Sequence, residues 1–193
     1  PIAFIDRVAE GVNCDTVMVN NREASYNAID YLIKKGYRKI ATVAGPMDRT
    51  TGMERLEGYI KAHKDNGIDI DEGMIRYGDF SLESGKKHTL DLIENTAMEA
   101  VFIANTDMAT GAFQIIKEKK LKVPKDIAFV MFDDPVWTTI VTPNITAISQ
   151  PVYTLGSTTA DLLLKRIMEG RKYIDKEPVK VILEARLIIR GSA

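Results

Sequence analysis

Short, uninterrupted apolar runs alternate along this chain with longer stretches in which apolar residues recur at helical spacing. That alternation restricts the fold more than any other feature. The runs Lys39–Ala44 (KIATVA), Ala100–Ala104 (AVFIA) and Ile127–Phe132 (IAFVMF) lack a regular polar face, so each reads as a strand covered on both sides. Further strand-like runs span Ile2–Ile5, Thr16–Val19 and Met74–Tyr77, and Val179–Ile189 reads as one or two closing strands. Helical periodicity runs over Glu23–Lys35, Gly52–Asn66, Leu82–Glu94, Met108–Lys119 and Leu155–Met168. Gly36 and Gly67 close the first two helices, and Thr51 and Glu54 stand at capping-box spacing for the second. The implied class is α/β: parallel sheets flanked by helices. Such sheets bind ligands beyond the carboxyl ends of their strands, near a switch in strand order. The loops after Ala44, Tyr77, Ala104 and Phe132 are therefore the ones to inspect.

Composition narrows the function. With 26 basic and 27 acidic residues among 193, the net charge is −1, which lacks the basic excess of a domain that grips a phosphate backbone. Cys14 is the single cysteine, so no intrachain disulfide is possible and a reducing compartment fits. His63 and His88 lie in separate charge-rich helical segments, where solvated surface is expected for both, and two scattered histidines make no metal site. No apolar run approaches the roughly 20 residues of a membrane span, and no secretory leader is evident. The chain opens at Pro1, directly before a strand-like run, as expected of a piece of a longer, cytoplasmic protein.

Each of the four loops offers polar or aromatic residues. The segment Gly45–Gly52 is glycine-bearing but lacks the Gly-Lys-Ser/Thr of a phosphate loop. Arg55 follows one turn into the next helix, where the dipole disfavours a cation. It either reaches over the cleft to grip oxygens with its donor fork or pairs with Glu54 or Glu57 in solvent. Phe80 is placed to wall an apolar ligand face or to pack in the core. Asn105 can cap the following helix, and its amide also suits a hydroxyl that both donates and accepts. Asp133 and Asp134 follow a buried strand, where carboxylates need partners. Asp133 can accept from the hydroxyls of a polyol, Asp134 can be a cap or turn residue, and Trp137 can stack on a sugar face or pack internally. No activated nucleophile is visible, and adjacent carboxylates do not offer the separation glycoside hydrolysis needs. The composition is that of a binding site, with no enzymatic activity and no cofactor expected.

Six elements in order resemble the LacI/GalR family of transcriptional regulators: LIKKGYRKIATVAGP (32–46), RLEGY (55–59), VFIANTDMATGA (101–112), VPKDIAFVMFDD (123–134), PNITAISQP (143–151) and LIIRGS (187–192). The resemblance implies a periplasmic-binding-protein-like core of two lobes. Residues 1–19 and 150–193 would form part of the first lobe, and residues 20–149 a nearly complete second lobe. It implies Arg55, Asn105 and Asp133 as effector contacts, with Asp6, Thr51, Phe80 and Gln150 at further cleft positions and Trp137 beside them. The implied partners are a small sugar or sugar phosphate, operator DNA through a helix-turn-helix absent from this chain, and a second copy in a homodimer.

The sequence departs from the family pattern at Met131 (usually Gly), Thr106 (Asp), Asn20 (Asp) and Glu23 (Gly). Met131 is expected to narrow the approach to the site. Two rival functions are an exported sugar receptor serving a transporter and a sugar-acting enzyme. The closing Arg-Gly-Ser and the Ile-Ser-Gln-Pro element favour the regulator over the first, and the missing acid-base geometry disfavours the second.

Overall fold

A computed structural model describes residues 1–8, 11–170 and 177–193. The chain divides into two compact units: Pro1–Asn20 with Gln150–Ala185, and Asn21–Ser149 with Arg186–Ala193. The sequence reading carried the first-lobe segment through residue 193. Residues 186–193 instead belong to the second unit, because the strand there pairs within its sheet.

The smaller unit contains β1 (Ala3–Ile5), β2 (Asp15–Val19), α5 (Val152–Glu169) and β8 (Lys180–Leu183). Its three strands are parallel in the order β1-β2-β8. Asp15, fully buried on β2, takes a two-pronged ion pair from Arg166 of α5 at 2.6 and 2.7 Å and a hydrogen bond from the Val179 amide at 2.8 Å. The guanidinium holds its carboxyl below the usual carboxylate range. One side-chain cluster thus joins the helix to the sheet.

The larger unit holds α1 (Asn21–Lys34), β3 (Ile40–Ala44), α2 (Thr50–Asp65), β4 (Ile75–Tyr77), α3 (Leu82–Asn95), β5 (Ala100–Ile103), α4 (Thr106–Glu118), β6 (Ala128–Phe132), β7 (Thr146–Ser149) and β9 (Arg186–Ile188). The sheet order is β4-β3-β5-β6-β7-β9, parallel except for β9, which runs antiparallel to β7. Every residue of β3, β5 and β6 is buried, as their unbroken apolar composition requires. Odd-numbered side chains of these strands, including Val43, Val101, Ile103, Phe129 and Met131, form one core with α3 and α4. Met131 is thus fully buried on that face and does not narrow the approach to the strand ends. The even-numbered Phe132 instead meets Arg55 of α2.

One helix contact depends on a missing side chain. A Cβ at Gly111 of α4 would lie 2.1 Å from the Leu82 carbonyl oxygen, so α3 and α4 approach more closely than any larger residue permits. On α2 the expected capping box does not form: Arg49 is the N-cap without a side-chain bond, and Thr51 lies inside the helix. His63 is also not solvated. It is buried against the Tyr59 ring, with centroids 4.2 Å apart and Nδ1 2.9 Å from the Tyr59 carbonyl, because its helix face packs inward. Burial lowers its pKa, while His88 is only half-buried.

Candidate functional site

The order of the larger sheet fixes where a ligand can reach it. From β3 the chain crosses through α2 to β4 on one side, then through α3 to β5 on the other. The strand order therefore switches between β3 and β5, the place where sheets of this kind admit a ligand beyond the carboxyl ends of their strands. The loops after β3, β4, β5 and β6 carry the candidate residues of this unit.

Arg55, only 4% exposed, is the centre of this region. Its guanidinium lies 3.5 Å over the Phe132 ring, donates from Nη1 to the Ala104 carbonyl at 2.7 Å and from Nε to Asn21 Oδ1 at 2.8 Å. It is thereby fixed beside the residues that precede Asp133 and Asn105. The alternative pairing with neighbouring glutamates is not what holds it: Arg22 bonds Glu57, and Glu54 accepts from Asn21. A buried guanidinium stacked on an aromatic ring, at the carboxyl ends of parallel strands, suits recognition of oxygen-rich ligands.

Asn105 is the N-cap of α4, its Oδ1 accepting from the Met108 amide at 3.2 Å, and its Nδ2 donates to the Phe80 carbonyl at 3.0 Å. The single amide therefore caps a helix and ties the loop after β4 to the loop after β5. Phe80 adopts a left-handed backbone (φ 70), half-buried against the core. A Cβ on Gly45 would fall 2.3 Å from the Phe80 ring, so glycine at the end of β3 lets the ring lie across that loop. Thr51 is buried nearby on α2, its hydroxyl without a hydrogen-bond partner among the described residues.

Asp133 is also left-handed (φ 74), and its Oδ2 accepts from both the Thr106 amide and the Thr106 hydroxyl, at 3.2 and 3.1 Å. Non-glycine residues in this region are strained by on the order of 1–3 kcal/mol and concentrate at functional sites. Asp134 has a different fate. Arg190 grips both its oxygens at 2.7 Å, and the Thr138 hydroxyl donates at 2.5 Å. The Arg190 guanidinium holds the Asp134 carboxyl below the usual range. The adjacent pair is therefore one carboxylate facing the α4 terminus and one structural anchor, not a catalytic dyad. Trp137 lies with its ring centroid 5.7 Å from that of Phe113 and packs on the core, which is its internal-packing alternative.

The structure thus gathers Arg55, Asn105, Asp133, Phe80 and Thr51 around neighbouring strand ends of the larger unit. Asp6 and Gln150 belong to the smaller unit. Asp6 ends β1 with φ 66, its amide donating to the Val17 carbonyl at 2.8 Å. Sequence reasoning missed Asn21 and Arg190. Their partners lie 34 and 56 residues away, beyond any local pattern.

The periplasmic binding protein-like domain model matches residues 29–193, and the chain belongs to that family. Within it, the relatives matched are transcriptional regulators, as the six sequence elements implied. The chain is 35% identical over 177 residues to the HTH-type transcriptional regulator CelR of Thermobifida fusca, covering 91% of this chain and 51% of that protein. It is 36% identical over 179 residues to the HTH-type transcriptional repressor PurR of Escherichia coli O1:K1, covering 92% and 51% respectively. It therefore spans about half the length of these curated relatives. Among solved structures, the transcriptional regulator CelR–cellobiose complex superposes with a TM-score of 0.88 at 33% identity, over 99% of this chain and 57% of that one. A sugar-binding LacI-family transcriptional regulator from Escherichia coli, complexed with phosphate, gives 0.80 at 30% identity, over 92% and 63%. Among the described residues no helix is long and apolar enough to cross a membrane.

Proposed function

We propose that this chain is the effector-sensing part of a LacI-type transcriptional regulator, binding a sugar or sugar phosphate through Arg55, Asn105 and Asp133. The smaller unit corresponds in this reading to a partial first lobe and the larger to a nearly complete second lobe. The observation that carries the proposal is the buried guanidinium of Arg55, stacked on Phe132 and fastened beside the loops bearing Asn105 and Asp133, at the point where the strand order switches. Thr51 and Phe80 border it, whereas Asp6 and Gln150 are assigned by resemblance alone. The regulators among the relatives favour this reading over an exported receptor, and the pairing of Asp134 with Arg190 favours it over a carboxylate-pair enzyme.

In the intact protein, a ligand that binds one arrangement of the core better than another shifts the population by that difference in affinity. We assign the readout to operator DNA, bound through a helix-turn-helix elsewhere in the protein and spaced by a homodimer. Calorimetric titration of the intact protein with cellobiose, other mono- and disaccharides and sugar phosphates tests the site. An ionic hydrogen bond contributes about 1.5–3 kcal/mol, so Asp133→Ala is expected to weaken the ligand found by about 10-fold or more. Undiminished affinity in that variant, or no binding across the panel, refutes the assignment.

A further inference from the structure

We propose that Asn21 is a positioning residue for Arg55, a neutral anchor that sets the guanidinium's orientation before any ligand arrives. The inference rests on the reading of Arg55 as a ligand contact. Asn21 is the first residue of α1 and only 1% exposed. Its Oδ1 accepts from Arg55 Nε at 2.8 Å, and its Nδ2 donates to Glu54 Oε2 at 3.1 Å. The amide can sit only this way round, since a guanidinium only donates and a carboxylate only accepts. Glu54 therefore fixes Asn21, and Asn21 fixes Arg55. Together with the bond to the Ala104 carbonyl and the Phe132 ring beneath, the guanidinium is constrained at two N–H groups and one face.

The neutrality of the anchor matters. An aspartate here would neutralise Arg55 and bring a second carboxylate against Glu54. An amide supplies the same acceptor without itself adding a compensating negative charge beside the guanidinium. Its chain neighbour Asn20, the last residue of the smaller unit's first segment, accepts from the Ala185 amide at 2.8 Å and donates from its own amide to the Leu183 carbonyl at 3.0 Å.

The test follows the Arg55 Nε–H by nitrogen-15 NMR in the intact protein, the signal being identified by its loss in Arg55→Lys. It is expected to exchange slowly with solvent in the wild type. Asn21→Ala should accelerate exchange by at least about 10-fold, whereas Glu54→Ala, which removes only the acceptor that holds Asn21 Nδ2, should accelerate it less. Cellobiose titration of the same proteins should show about 10-fold weaker binding for Asn21→Ala. Equal protection of the Nε–H in folded Asn21→Ala, or a Glu54→Ala effect as large as that of Asn21→Ala, overturns the proposal. If the wild type does not bind cellobiose, that sugar is excluded as effector, and the exchange measurement still decides the role of Asn21.

Discussion

Replacing Arg190 with alanine isolates the cost of breaking the anchor behind the candidate site. Arg190 and Asp134 are 17% and 15% exposed at their side chains and meet in a two-pronged pair. Arg190 Nη1 also donates to the Ile145 carbonyl at 2.6 Å. Truncation leaves Asp134 with the Thr138 hydroxyl as its remaining named donor and leaves the Ile145 carbonyl without this bond. Removing one partner of a well-buried ion pair costs about 3–5 kcal/mol, and the residual exposure here puts the expectation near 3 kcal/mol. For a chain of this size that is a fall in melting temperature of roughly 10 °C.

Urea unfolding followed through Trp137, the single tryptophan and part of the same loop, reports the loss directly. A double-mutant cycle with Asp134→Asn should give a coupling of at least about 1.5 kcal/mol. The acid limb supplies an independent check. Because Arg190 lowers the Asp134 pKa in the folded state, the pair's stabilisation is complete above the ordinary Asp value, about 3.9, and is lost as pH falls through the folded value. Arg190→Ala should therefore flatten the stability profile in that acid range. A loss below about 0.5 kcal/mol at neutral pH, or additivity within about that margin, would refute the reasoning.

Gly111→Ala forces a methyl against the Leu82 carbonyl and is expected to cost about 3 kcal/mol in urea unfolding. Gly156→Ala on α5, where nothing lies within 4 Å of the added carbon, should be neutral or stabilise by about 0.5–1 kcal/mol, and equal effects would contradict the close-packing argument. Burial lowers the His63 pKa, so its contribution is present above the unfolded value of about 6.5 and declines as pH falls below it. His63→Gln should accordingly show a shallower loss of stability than the wild type between about pH 6.5 and 5, and parallel profiles would count against the burial argument.

The strands legible in the sequence were those whose burial on both faces leaves no polar positions, as in β3, β5 and β6. β7 was missed as a strand because Thr-Ala-Ile-Ser is short and half polar, and its burial comes from pairing with β6 and β9. Only Glu184 and Ala185 separate β8 from β9, so no turn signal announces that the two strands enter different sheets. His63 was misplaced because the charges around it in sequence say nothing of which helix face packs inward. Arg55, by contrast, stood out locally, since a cation early in a helix opposes the dipole unless something else fixes it. What fixes it, the Asn21 amide and the Phe132 face, is assembled only by the fold.

The two adjacent aspartates show how a backbone conformation separates functions that the sequence presents together. Asp133 leaves β6 in the left-handed region, and the chain reverses its side-chain direction within one residue. Asp133 consequently meets Thr106 at the start of α4, while Asp134 turns to Arg190 in the closing segment. Thr106 stands where the family pattern has an acid, and its hydroxyl donates to the same Asp133 oxygen as its amide. An aspartate at 106 would set a second carboxylate against that oxygen in place of a donor, an unfavourable contact in a half-buried setting. The departure thus replaces a possible repulsion with a clamp on one Asp133 oxygen. Fixing that oxygen restricts the orientation of the Asp133 carboxylate from the α4 side, as Asn21 and the Phe132 ring restrict Arg55 from its own side. On the proposed reading of Asp133 as a ligand contact, Thr106→Ala is expected to change the ranking of sugars in calorimetric titration even though the residue contributes no charge. An unchanged ranking would count against the clamp.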